Sequence, residues 1–86
     1  MKKYNELKVY STDWCPDCYR AISFLEEFGL PYSKVDIEEH PEEAQVLEEK
    51  TGKRAIPYFV LDGDWIKPYI PGKGFKREEM RKLFGV

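Results

Sequence analysis

The stretch Leu7-Lys8-Val9-Tyr10-Ser11-Thr12-Asp13-Trp14-Cys15-Pro16-Asp17-Cys18 decides how this chain folds. Leu7 to Tyr10 alternates and predicts a first strand, which ends in the polar segment Ser11-Thr12-Asp13. Proline suits the first helical position, because its fixed φ is helical and its missing N–H would have no partner there. A helix is therefore predicted to start at Cys15-Pro16, with its buried face made of Cys18, Ala21, Ile22, Leu25 and Phe28. Gly29 is a left-handed stop for it, and Pro31 follows soon after. The two cysteines thus stand at a strand-to-helix junction. Unpaired backbone N–H groups and the positive end of the helix dipole favour an anion there, so Cys15 is the expected thiolate nucleophile. Cys18 falls on the inner side of the first turn and is expected to resolve the mixed disulfide that Cys15 forms. Asp17 lies between them, and its charge opposes a second anion beside it.

Working outward, Tyr32 to Ile37 predicts a second strand, with Val35 and Ile37 facing opposite to Lys34 and Asp36. Pro41 opens a second helix with Glu42 and Glu43 in its first turn, Ala44 and Leu47 on its inner stripe, and Gly52 at its end. Tyr58-Phe59-Val60-Leu61 is a continuous apolar run, as in a central strand covered on both faces. Asp62-Gly63 predicts a tight turn, after which Trp65 to Tyr69 returns antiparallel. Pro71-Gly72-Lys73-Gly74 is predicted as a loop, and Lys76 to Phe84 as a last helix facing inward with Met80, Leu83 and Phe84. The order βαβαββα predicts an α/β fold, a four-stranded mixed sheet with helices on both faces, in a single domain over residues 1–86.

The chain has 86 residues, a length that suits one small domain. Its 14 basic and 16 acidic residues nearly balance at a net charge of −2, and no basic run is present to neutralise phosphates. No nucleic-acid partner is expected. No stretch approaches the ~18 apolar residues of a membrane span. Met1-Lys2-Lys3-Tyr4-Asn5-Glu6 lacks an apolar stretch behind its charges, so no signal peptide is expected and the location is read as cytoplasmic. A Cys15–Cys18 bridge would close a very short loop and constrain the unfolded chain little, so the pair points to chemistry rather than stability. Zinc wants four ligands, and His40 is the sole further soft donor in the sequence.

Thr12-Asp13-Trp14-Cys15-Pro16-Asp17-Cys18 resembles the active-site segment of glutaredoxins. Thr51-Gly52-Lys53-Arg54-Ala55-Ile56-Pro57-Tyr58-Phe59 resembles a second glutaredoxin segment, usually written TGxRTVPxxF. The resemblance implies a thioredoxin fold and thiol–disulfide oxidoreductase activity. It also implies a cis bond before Pro57, with Ile56 docking the substrate backbone. Departures are Thr12 in place of a lysine, Ala55 in place of threonine and Asp17 in place of tyrosine. The glycine pair and aspartate that hold the γ-glutamyl end of glutathione are missing. Gly74-Phe75-Lys76-Arg77-Glu78-Glu79-Met80 resembles the start of the last helix in redoxins that serve ribonucleotide reductase and draw electrons from thioredoxin reductase. Trp14 before the first cysteine resembles thioredoxins and mycoredoxins.

The expected site therefore comprises Cys15 and Cys18 as the catalytic pair. Trp14, Pro16, Arg54, Ile56, Pro57, Gly74 and Phe75 are expected as substrate-binding residues, and no metal ligands are expected. A phenylalanine in the place of Phe75 is more often a hydrophobic staple for the last helix than a partner contact. The expected partners are a disulfide-containing protein substrate and either glutathione or thioredoxin reductase as electron donor. No tightly bound cofactor is expected, glutathione being a reductant at most, and the chain is expected to be a monomer. The alternative is a non-catalytic module that grips an iron–sulfur cluster, another metal or a partner protein through the cysteine pair.

Overall fold

The computed structural model describes residues 3–86; Met1 and Lys2, part of the N-terminal segment read above, lie outside the described residues. Strand β1, Leu7–Ser11, sits in the middle of the sheet. Helix α1, Pro16–Glu27, carries the chain over to strand β2, Ser33–Asp36, which pairs parallel to β1 with Lys8 opposite Ser33 and Ser11 opposite Asp36. Helix α2, Pro41–Thr51, then leads to strand β3, Tyr58–Leu61, antiparallel to β1 with Val9 opposite Phe59. Strand β4, Asp64–Ile66, completes the order β2-β1-β3-β4. Helix α3, Arg77–Phe84, closes the chain. This is the mixed α/β architecture that the sequence predicts.

Alternation along the strands sorts the core into two layers. Leu7, Val9 and Phe59 face α1 and α3, joining Ala21, Phe24, Leu25, Met80 and Phe84. Tyr10 and Val60 face the other way, onto Leu47 of α2. Trp65 packs there too, with its ring 5.2 Å from Tyr10 and 5.9 Å from Tyr58.

The stripe expected on α1 needs a correction. Cys18, Ala21 and Leu25 are buried as predicted, but the fourth buried residue is Phe24, while Ile22 and Phe28 are only half-buried. Phe24 and Ile22 lie on opposite flanks of one stripe. The Phe24 flank is the one that α3 and the segment before it cover, with Phe75 at 5.2 Å and Phe84 at 6.3 Å from the Phe24 ring. The end of α1 is as predicted: Gly29 has φ +64°, its N–H bonds to Glu26, and the Leu30 N–H bonds back to Leu25, the paired bonds of a Schellman motif.

The second correction follows β4. The predicted return strand Trp65 to Tyr69 stops at Ile66, because Pro68 has no N–H to give to a ladder. The chain instead builds a separate ribbon of β5, Tyr69–Ile70, and β6, Gly74–Phe75, with Tyr69 opposite Phe75 and Ile70 opposite Gly74. The predicted loop Pro71–Gly74 is the turn of this ribbon. It is closed by the Lys73 N–H to the Ile70 carbonyl at 2.9 Å, with Gly72 and Gly74 at the positive φ that such a turn requires. Helix α3 starts one residue later than predicted, with Lys76 at its N-cap.

Candidate active site

Cys15 is the N-cap of α1, with extended backbone at φ −87° and ψ 114°, and Pro16 takes the first helical position. Its Sγ accepts the Cys18 N–H at 3.2 Å, so the sulfur does for the helix start what a serine or aspartate oxygen does elsewhere. Both cysteines are free thiols and both are buried, Cys18 at 1% exposure. Burial pushes the Cys18 thiol well above the ordinary thiol range. The hydrogen bond to Cys15 and the negative charges of Cys15 and Asp17 add to that, and the Thr12 backbone hydrogen bond pulls the other way. Cys18 therefore holds its proton at neutral pH. Asp17 is not a free charge, since its carboxylate accepts from Arg20 at 2.7 Å.

The sheet register brings the second segment to the same place. Tyr10 lies opposite Tyr58, so the residues after Tyr10 and those before Tyr58 leave the sheet at one end. The Ile56–Pro57 bond there is cis, and Pro57 is fully buried. Ile56 is half-buried against the Tyr10–Leu47 layer and lies outside the β3 ladder.

The other predicted site residues divide. Trp14 is 67% exposed beside Cys15, and its indole Nε1–H donates to Glu38 at 2.9 Å. Glu38 is held in turn by Asp36, whose carboxylate accepts the N–H groups of Glu38 and Glu39. Gly74 and Phe75 reach the flank of the site, lining a groove that begins at Asp17. Phe75 is also packed on Phe24, so it serves the core as well. Arg54 is bound elsewhere: its Nε donates to Glu48 at 2.7 Å, and it lines a depression with Gln45, Glu48 and Glu49 that contains neither cysteine.

Three features of the site are absent from the sequence reading. Burial raises the Tyr69 phenol above its ordinary range, and negative charge on Asp17 and on Cys15 pushes the same way. Ser11 Oγ and Thr12 Oγ1 are buried without a hydrogen-bond partner among the described residues, just where β1 runs into the site. Tyr19, directly after Cys18, is 74% exposed. The signal for Tyr69 was Pro68, which cannot extend the β4 ladder and precedes the separate β5–β6 ribbon.

Among the described residues, one set of metal-type ligands converges, Asp13, Asp36 and Glu39, and it includes neither cysteine nor His40. Two of its three carboxylates already have structural partners: Asp13 pairs with Lys34 at 2.7 Å, and Asp36 closes the turn before α2. His40 is exposed, 3.4 Å from Glu42. No helix among the described residues is long and apolar enough to cross a membrane.

Comparison with known proteins places these motifs in a family. A glutaredoxin of Pseudomonas aeruginosa is 33% identical over 49 residues, which are 57% of this chain and 58% of that protein. The chain thus matches little more than half the length of that relative. In structure, the NrdH-redoxin of Escherichia coli, described as having a thioredoxin-like activity profile, is similar with a TM-score of 0.74 at 19% identity, over 92% of this chain and 95% of that one. A buckwheat glutaredoxin solved in complex with glutathione is similar with a TM-score of 0.69 at 21% identity, over 94% and 71% of the two chains. The Glutaredoxin family model matches residues 7–66, from the first residue of β1 through the cysteine pair and Pro57 to the end of β4. With that match over most of its length, and the thioredoxin fold around it, this chain belongs to the glutaredoxin family.

Proposed function

We propose that this protein is a dithiol reductase of protein disulfides. The Cys15 thiolate attacks one sulfur of a substrate disulfide, forming a mixed disulfide and expelling the other sulfur as a thiolate that takes a proton from water. Cys18 then attacks Cys15 Sγ, its proton passing to the departing substrate sulfur. The second substrate thiol leaves, and Cys15 and Cys18 remain as a disulfide. An external dithiol or two thiols must return the two electrons. The observation that carries this reading is the division of labour at the helix start. Cys15 Sγ already accepts a backbone N–H, the bond that a thiolate uses, while Cys18 is a buried, protonated thiol one turn away.

Trp14 offers an exposed apolar face to a polypeptide beside the attacking sulfur, and Ile56, outside the β3 ladder, is the position at which an extended substrate backbone would pair. Reduction of glutathione mixed disulfides is the second reading, favoured by the glutathione complex of the buckwheat relative. Its weakness here is local. The β5–β6 ribbon occupies the segment where the γ-glutamyl ligands are expected. The cations that could replace them are Lys53, Arg54 and Lys67. Arg54 is paired with Glu48 and Lys67 lies over the Tyr69 ring at 5.1 Å, which leaves Lys53 without an ion pair among the described residues.

The test is NADPH consumption during reduction of a protein disulfide, supplied either with thioredoxin reductase or with glutathione and its reductase. Turnover that Cys15→Ser abolishes is expected, and Cys18→Ser is expected to stop at a mixed disulfide detectable by mass. Failure of both donors to sustain turnover would sink the reductase reading and bring metal or partner binding through the cysteine pair to the front.

A further inference from the structure

Beyond the reacting sulfurs, one flank of the site has the character of a docking surface. The large hydrophobic side chains that stand exposed among the described residues are Trp14, Tyr19 and Ile70. Trp14 and Tyr19 bracket the cysteine pair in sequence, Ile70 belongs to the β5–β6 ribbon, and of the three Tyr19 lines the groove beside α1. From Asp17, a groove of about 780 Å³ runs down α1 past Arg20 and Ser23 to Glu27, with the ribbon turn as its other wall. That volume suits a short segment of chain rather than a folded domain. Tyrosine, arginine and phenylalanine, the residue types that dominate binding surfaces, line it through Tyr19, Arg20, Arg77 and Phe75.

The charges of the groove select its occupant. Three cations face two carboxylates, and both carboxylates are engaged: Asp17 accepts from Arg20, and Glu27 accepts two bonds from Arg77 at 2.7 and 3.0 Å. Lys73, at the tip of the ribbon turn, makes no ion pair among the described residues and is the charge left to be answered. Gly72 and Gly74 on either side of it carry no side chain, so the turn presents its backbone and one ammonium group to the groove. We infer that the groove between α1 and the β5–β6 ribbon docks an extended, acidic segment of the protein whose disulfide is being reduced, with Lys73 as its carboxylate contact.

This inference rests on the thiol–disulfide reading, and its test separates the two. Two peptides with the same internal disulfide are compared, one flanked by glutamates and one by lysines, using wild type and Lys73→Glu. Lys73→Glu is expected to lower kcat/KM for the glutamate peptide by about two- to five-fold, the size of one exposed ion pair, and to raise it for the lysine peptide. An equal change for both peptides, or none, overturns the inference. So does an equally large loss with glutathione disulfide, which would assign the carboxylate contact to a small tripeptide. If wild type reduces neither peptide, the reductase reading fails. Docking is then judged with serine analogues of the peptides, by amide NMR shifts at Tyr19 and Lys73. Shifts with the glutamate analogue alone uphold the groove, and their absence overturns it.

Discussion

Raising the pH tests the state of Cys18 directly. In the folded protein its thiol is buried at 1% exposure and stays protonated well above the ordinary thiol value of 9.0. The unfolded chain has no such burial, so above pH 9 it loses a proton that the folded chain keeps. A group whose folded pKa is raised stabilises the fold fully below its unfolded pKa, and that stability drains away as pH climbs. With the fold keeping its proton throughout, the loss from this one thiol is about 0.4 kcal/mol at pH 9 and about 1.4 kcal/mol at pH 10. In a domain of this size the latter corresponds to about 6–11 °C in Tm. The assay is urea unfolding of the reduced protein at pH 7, 8, 9 and 10, beside Cys18→Ala. The variant keeps the tyrosines, several of which burial also shifts upward, so their alkaline losses cancel in the comparison. The stability gap between wild type and Cys18→Ala should narrow by about 1.4 kcal/mol from pH 7 to pH 10. Parallel curves would refute the picture of a buried, protonated resolving thiol.

Phe24→Ala should cost about 3–5 kcal/mol in chemical unfolding, since Phe24 is the shared ring between α1, α3 and Phe75; a loss below 1 kcal/mol would mean that the contact is not a core contact. Cys15→Ser should unfold within about 0.5 kcal/mol of wild type, because a serine hydroxyl replaces sulfur as acceptor of the Cys18 N–H, whereas Cys15→Ala should lose about 1 kcal/mol with the cap. Glu38→Ala should free the Trp14 indole, seen as an Nε1–H resonance moving toward its solvent-exposed position. It should also raise KM for protein disulfides by about two- to ten-fold with kcat held, and Glu38→Gln, which keeps an acceptor, should restore both.

Much of the site was legible because its signals are local. Cys15, Pro16 and Cys18 are fixed by the rules of a helix start, which act within one turn, and the structure puts Cys15 at the cap and Cys18 inward as those rules require. Pro57 came from a different source. Nothing in its immediate neighbours separates a cis proline from a proline that merely opens a strand, and it was the resemblance of the surrounding segment that pointed to the cis bond. Arg54 was carried over by motif, and its partner in the structure is Glu48, six residues earlier near the end of α2.

By itself, the sequence determined the order of the four strands of the main sheet and the three helices, and the pair of sulfurs at a helix start, because periodicity, prolines and glycines act between near neighbours. Tertiary structure alone decided which flank of α1 is buried, since Phe24 and Ile22 are equivalent until α3 arrives on one side. It alone anchored Trp14 to Glu38, 24 residues away, folded the segment after Pro68 into a ribbon against α1, and left Lys73 at its tip without an ion pair among the described residues. Each of these depends on which element comes to rest against which, and only packing settles that.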